Sequence, residues 1–238
     1  MNHIAIVKQF LRTRGREELV AEGYPFVTIS REAGAGGHTL AREILRRLAT
    51  RFPGDLSEGW EVFDHKLCAL IAQDEKLGVS FDQLLAEEYR SEVSQVIYEL
   101  IAQKASRYKV YKRIFEIVRA LATLGKCVIV GRASMCVTRD LPLGVSVRLV
   151  ASEGTRVKRM MQLLEVGEKD ALRKVREQDR DRRRLIHDFF DKDIANPLLY
   201  DAVFNTERLT IGEIADVVVD LVGQKMARYT ADKLVATS

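Results

Sequence analysis

Cysteine is scarce in this chain of 238 residues, and Cys68, Cys127 and Cys136 lie far apart. Three scattered thiols build neither a disulfide framework nor a zinc site. Each reads as a small buried hydrophobe. Long apolar runs are missing as well. None approaches the ~20 residues that span a bilayer, and the patch Ile4-Ala5-Ile6-Val7 meets charge too soon for a signal peptide. Internal repeats and low-complexity segments are absent. So is a large excess of one charge: 38 Lys and Arg against 34 Asp and Glu leave a net +4. That balance suits a protein with an anionic small ligand at least as well as one that coats nucleic acid. The expectation is a soluble protein in a reducing, cytoplasmic compartment, with neither membrane nor nucleic acid as a partner.

What is present is apolar material for a core, 47% of all residues, in a length that suits one large α/β domain or two small ones. The most informative stretch is Phe26-Val27-Thr28-Ile29-Ser30-Arg31-Glu32-Ala33-Gly34-Ala35-Gly36-Gly37-His38-Thr39-Leu40-Ala41. It opens as a buried strand rich in β-branched residues. It then crosses three glycines and enters helical spacing at Leu40, Ile44, Leu45 and Leu48. Strand, glycine loop and helix cradle a phosphate, because glycines let several N–H groups approach one anion and the helix start adds a favourable dipole. Thr39 is placed to offer a hydroxyl to a phosphate-bound magnesium ion. A valine at Gly36 is expected to fill the space meant for phosphate. The standard pattern G-x-x-x-x-G-K-[ST] wants glycine where Arg31 stands and lysine where Gly37 or His38 stands. The stretch is therefore a variant phosphate loop, and a plain glycine-rich turn remains the alternative.

Residues 3–21 carry amphipathic helical spacing that either caps the domain or contacts another subunit. Glu61-Val62-Phe63-Asp64 reads as a short strand ending in a carboxylate. Residues 65–105 read as a helical insertion, broken near Gly78, with Ser80 as an N-cap. Tyr108 to Leu124 reads as a helix stopped by Gly125. Cys127 to Val130 reads as a strand that delivers Arg132 to its carboxyl end. Further strands are expected at Val145–Val150 and Ala202–Asn205. Charged helices are expected over 155–165 and 168–187, and an amphipathic helix from Thr210 through Val222. Strands alternating with helices imply a mostly parallel sheet in three layers, with ligands beyond the carboxyl ends of the strands. The glycine loop, Asp64 and Arg132 all fall at such ends.

The densest charge is Arg173-Lys174-Val175-Arg176-Glu177-Gln178-Asp179-Arg180-Asp181-Arg182-Arg183-Arg184. On a helix Arg173, Arg176, Arg180 and Arg184 share one side, with Asp179 and Asp181 to fix their guanidinium groups. Such a helix could close as a lid over a phosphate site, stabilising transferred charge and excluding water. The alternative is a solvated helix laced with ion pairs. No aromatic side chains interleave with the arginines, which weighs against base stacking.

Together these segments resemble the cytidylate kinase-like branch of the P-loop nucleoside monophosphate kinases. The residues carrying the resemblance are Ile29-Ser30-Arg31-Glu32 running into Gly34–Thr39, Phe63-Asp64, Val128-Ile129-Val130-Gly131-Arg132, the arginine helix, and Leu199-Tyr200-Asp201-Ala202-Val203-Phe204-Asn205-Thr206. The resemblance implies an α/β P-loop NTPase fold in three layers, with an N-terminal extension over 1–25, a kinase-like domain over 26–225 and a tail over 226–238. Within the domain, 65–105 would be the helical acceptor-binding insertion and 168–197 the lid. The activity implied is transfer of the ATP γ-phosphoryl group to CMP or dCMP with Mg²⁺. A catalytically weak or inactive nucleotide-binding regulatory protein of the same fold is the alternative. A homodimer would form through the N-terminal or insertion helices. By the same resemblance Gly34, Ala35, Gly36, Gly37, His38 and Thr39 hold the donor phosphates, and Thr39 the metal. Asp64 and Arg132 meet the acceptor, and Arg132, Arg180, Asp181 and Arg184 serve transfer. Orthodox members carry a loop lysine where this chain has Gly37; the cytidylate kinase-like branch is similarly lysine-free. They also often carry an aspartate beside the strand-end arginine, which Val130-Gly131-Arg132-Ala133-Ser134 lacks. Either His38 or a lid arginine supplies the missing charge, or His38 packs neutral at the helix start.

Overall fold

Cys127 to Val130 is apolar without alternation, and all four residues are buried. Such a run belongs to a parallel strand covered on both faces. The computed structural model describes residues 9–10, 23–52, 54, 57–64, 66–68, 71 and 108–237. Its strands are β1 (Phe26–Arg31), β2 (Glu61–Phe63), β3 (Cys127–Val130), β4 (Gly144–Val150) and β5 (Ala202–Asn205). They form one sheet in the order β2-β3-β1-β4-β5, and every pairing is parallel. β1 is central, with Thr28 level with Ile129 on one side and Ser146 on the other.

Alternate residues feed two separate cores. Val27, Ile29, Val128, Val130, Val145 and Val147 face α1 (Gly37–Arg51) and α6 (Ile211–Thr237), which contribute Leu40, Ile44, Leu48, Ile214, Val218 and Val222. Phe26, Cys127 and Ile129 face α2 (Tyr108–Leu124), whose Ile114, Phe115, Val118 and Leu121 complete the other layer. α1 and α6 are also tied at their outer edges by Arg47–Asp216 at 2.5 Å and Arg51–Asp220 at 2.6 Å. All three cysteines are buried and free, and burial pushes the thiols of Cys68 and Cys136 up, to about 12 and about 11.

α3 (Ser134–Val137), α4 (Glu153–Leu164) and α5 (Glu168–Phe190) follow β3 and β4. Ser152 caps α4, accepting from Thr155 N at 3.4 Å. α4 and α5 share a small core of Ala33, Val157, Met160, Ala171 and Val175. The far end of α5 leaves that core and joins the main one: Phe189 and Phe190 pack on Phe115 with ring centroids 5.5 and 5.3 Å apart.

The elements fall where the sequence spacing put them, with small differences. The tail, expected to be helical at first and frayed at its end, continues α6 to Thr237; the apolar stripe ends near Val222, but Lys225 holds Asp201 at 2.9 Å and keeps the next turn in place. α5 runs three residues beyond His187, because its last turn is bound by the aromatic contacts. α3 and a 3₁₀ turn over Pro197–Leu199 are too short to leave a periodic signal. The expected helix over 3–21, apart from Gln9 and Phe10, and most of the expected insertion over 65–105 lie outside the described residues. Phe10 packs edge-on against Phe63, with centroids 5.0 Å apart. Among the described residues no helix is long and apolar enough to cross a membrane.

Candidate active site

The connection leaving β1 enters α1 on one face of the sheet, and the connection leaving β3 enters α3 on the other. Adjacent strands whose connections part in this way open a crevice at their carboxyl ends. Here it is a cleft of about 1260 Å³. Its floor is the glycine loop. One side carries Asp64, Lys66, Tyr111 and Arg132, and the other is walled by α4, α5 and the segment Thr206–Ile211.

Gly34, Gly36, Gly37, His38 and Thr39 all line this cleft. Ala35 does not. It is fully buried against the α1–α6 core and anchors the loop from below. Gly36 is the N-cap of α1 at φ +90°, with no side-chain cap, and no acidic residue occupies the first turn. The helix start thus keeps its donors for a ligand. A Cβ on Gly36 would stand 3.1 Å from Ile211 Cδ1. Valine there would strain the backbone and press on the Ile211 side chain, a packing cost besides any clash with phosphate in the cleft that Gly36 lines. Gly34 is needed elsewhere again: a Cβ would lie 2.6 Å from the Arg156 carbonyl oxygen.

Arg132 and Asp64 reach the cleft from adjacent strand ends. Arg132 stands in a run of three left-handed residues, Gly131, Arg132 and Ala133 at φ 84°, 59° and 54°. Such geometry is costly for residues with a Cβ, and it turns the chain from β3 into α3. Asp64 also caps the next helical turn, accepting from Lys66 N and Leu67 N, both at 2.9 Å.

On α5 the arginine reading needs correction. Arg180 and Arg184 are exposed and stand outside the cleft. Their side of the helix faces solvent, where Arg173 pairs with Asp170 at 2.7 Å and Arg176 with Glu153 at 2.8 Å. Asp181 lines the cleft, as do Lys174, Gln178, Arg182 and Leu185. The arginine that α5 delivers is therefore Arg182. The signal for it was apolar: Arg182 is seven residues after Val175 and four before Ile186, both buried, and these spacings share a helical face. Arg182 Nη2 donates to Gln178 Oε1 at 3.0 Å, and Nη1 to Asp179 Oδ1 at 3.2 Å and to the Arg31 carbonyl at 3.4 Å.

Asp179 latches α5 to the loop. It accepts from Ala33 N at 2.7 Å and from Arg156 Nη1 at 2.6 Å. Arg156 also pairs with Glu32 at 3.2 Å and donates to the Ala33 carbonyl at 3.2 Å. Cations dominate beyond this latch. Desolvation, then the charges of Arg182 and Arg132, push the Arg31 guanidinium down to about 9, against the opposing pull of Asp64 and Asp179. Burial likewise lowers Arg182. Desolvation, then the Arg31 charge, hold His38 below the usual histidine value.

Among the described residues no cluster of three or more His, Cys, Asp or Glu side chains could cage a metal. The Thr39 hydroxyl and the carboxylates of Asp64 and Asp181 line the cleft and are oxygen donors of the type that hard divalent cations take.

Replacing Arg182 by alanine is expected to weaken binding of inorganic pyrophosphate about tenfold, while Arg180→Ala and Arg184→Ala stay within about twofold of the parent. Calorimetric titration of the three variants checks this. Equal losses at all three would bring the outer arginines into the site.

A solved structure of an uncharacterized protein from Eubacterium ventriosum superposes with a TM-score of 0.63 at 20% identity, over 84% of this chain and 98% of that one. Shikimate kinases from Acinetobacter baumannii, in complex with shikimate, and from Bacteroides thetaiotaomicron give TM-scores of 0.42 and 0.44 at 15% and 12% identity. They cover 85% and 84% of this chain and 95% and 97% of theirs. No curated protein sequence matches the chain at a significant level. The sequence pattern of the cytidylate kinase-like family matches residues 26–208. That span takes in all five strands, the glycine loop and the whole of α5, and the chain belongs to the cytidylate kinase-like family.

Proposed function

We propose that the protein is a nucleoside monophosphate kinase that moves the γ-phosphoryl group of ATP onto the 5′-phosphate of CMP or dCMP. The observation that carries this reading is convergence. An uncapped helix start, a strand-end arginine and a half-buried arginine of α5 meet on one cleft, although they are far apart in sequence.

The N–H groups at the start of α1 bind and orient the donor phosphates. The apolar rim formed by Leu163, Leu164, Leu209 and Ile211 offers a surface for the donor base. Thr39, with Asp64 or Asp181, would hold Mg²⁺, which when bound would neutralise phosphate charge. Arg132 and Lys66, on the side of the cleft opposite that rim, hold the acceptor phosphate, whose ionised oxygen is already a nucleophile and needs no general base. Arg182 faces the charge that spreads over the moving group. Asp179 keeps α5 closed on the loop, which excludes water as a competing acceptor. Position and charge supply the rate.

The test is a coupled assay with ATP, Mg²⁺ and each of CMP, dCMP, UMP and AMP. Turnover with a cytidine monophosphate above the others is expected. A thermal shift with ATP and no turnover with any acceptor would overturn the kinase reading in favour of a nucleotide-binding regulatory protein.

A further inference from the structure

The glycine at position 37, where an orthodox phosphate loop carries lysine, is not simply a lost charge. Arg31, the last residue of β1, lies across it. A Cβ on Gly37 would stand 3.0 Å from Arg31 Cγ, 3.2 Å from Cδ and 3.5 Å from Nε. Farther along the same side chain, Nη1 sits against Gly131, where a Cβ would collide with it. The two loops that frame the cleft therefore each carry a glycine where the Arg31 side chain passes. A side chain at either position would push the guanidinium out of its course.

The Arg31 head lies on the cleft wall beside the glycine loop, between Arg132 and Arg182. Among the described residues no acceptor hydrogen-bonds to it. A guanidinium keeps its charge at neutral pH, so three cations share a partly desolvated space with the two carboxylates Asp64 and Asp179. That crowding is relieved when a polyanion enters. It is the electrostatic condition of a preorganised phosphate site. A lysine at 37 would also crowd the present course of Arg31, because its Cβ alone would already press on the Arg31 stem.

We propose that Arg31 binds the donor's β- and γ-phosphates in place of the phosphate-loop lysine, and that Gly37 and Gly131 are glycine to let it through. This deepens the reading of the cleft as a triphosphate site and rests on it. It also accounts for Gly37, which the loop pattern alone leaves unexplained, while Gly131 serves the left-handed turn as well.

The experiment uses the full chain and four variants: Arg31→Met, Gly37→Lys, Arg31→Ala, and Arg31→Ala with Gly37→Lys. Arg31→Met keeps a stem over Gly37 and removes only the charge. Binding of inorganic tripolyphosphate and of ATP is measured by calorimetry, with the melting temperature of each variant as a control. Arg31→Met and Arg31→Ala are each expected to lose about tenfold or more in tripolyphosphate affinity. Gly37→Lys, with two stems competing for one path, binds more weakly than the parent. The double variant recovers to within a few-fold of the parent. Parental affinity in folded Arg31→Met, or a double variant no tighter than Arg31→Ala, would overturn the proposal. The two readings fail separately. The expected binding order without phosphorylation of any acceptor sinks the kinase reading and leaves Arg31 in place. CMP phosphorylation by Arg31→Met at the parental rate and ATP affinity sinks Arg31 and leaves the kinase.

Discussion

Arg132→Ala is expected to lower kcat/KM for the acceptor nucleotide about 10²–10³-fold, the usual loss when one preorganised charge-stabilising donor is removed, while ATP affinity changes little. Arg132 sits at the end of β3, on the cleft wall with Asp64 and Lys66, and its backbone is held at φ 59° between two other left-handed residues. The strain is a reason to compare alanine with glycine. Arg132→Gly should be as poor a catalyst as Arg132→Ala yet more stable than it by about 1 kcal/mol, because only the alanine keeps the left-handed cost of a Cβ. Steady-state kinetics against acceptor concentration and melting curves for both variants measure the two effects. Acceptor kinetics unchanged in either variant would remove Arg132 from the acceptor site. Equal stability of the two would mean that the turn relaxes when the guanidinium is gone.

The second large effect is expected at Asp179. Its carboxylate satisfies the Ala33 N–H and pairs with Arg156 and Arg182. The Arg156 side chain is only 9% exposed. Asp179→Ala leaves that cation with Glu32 as its one carboxylate, beside the Ala33 and Ala151 carbonyls, and strands a backbone donor. Because Glu32 remains, the cost should fall near the low end of that for breaking a buried pair, about 2–4 kcal/mol. In a chain of this size that lowers the melting temperature by roughly 5–15 °C. Asp179→Asn retains an acceptor for Ala33 N and should lose less. Both variants should also bind ATP more weakly, since α5 is no longer tied to the loop. A melting temperature for Asp179→Ala within a degree or two of the parent would show that the latch carries no stability.

The sheet was readable because β3 is apolar on both faces, β1 and β4 carry buried apolar residues at alternate positions, and helical spacing separates them. Phe26–Arg31, Cys127–Val130 and the helix Tyr108–Leu124 fall on the residues that periodicity indicates. The loop and Arg132 were readable because both follow strands. The lid face was not. Counting arginines selected Arg180 and Arg184, whereas burial follows the apolar residues Val175 and Ile186 and so brings in Arg182. Arg31 was hidden for a different reason. Its partners across space are Gly37 and Gly131, and a glycine announces neither what lies over it nor from which direction. That Gly36 also packs close to Ile211 was hidden in the same way.

The two ends of α5 are held by unequal means, aromatic rings at Phe189 and Phe190 and a handful of small apolar side chains at Ala171 and Val175. With 23 residues rising 1.5 Å each, the rod is about 34 Å long. Pivoted at its aromatic foot, a tilt of about 5° would sweep the Glu168 tip through about 3 Å, the width of a water molecule. Arg182, about a third of the way along from that foot, would move about a third as far. Any such tilt would therefore be felt far more at the tip than at the cation on the cleft wall.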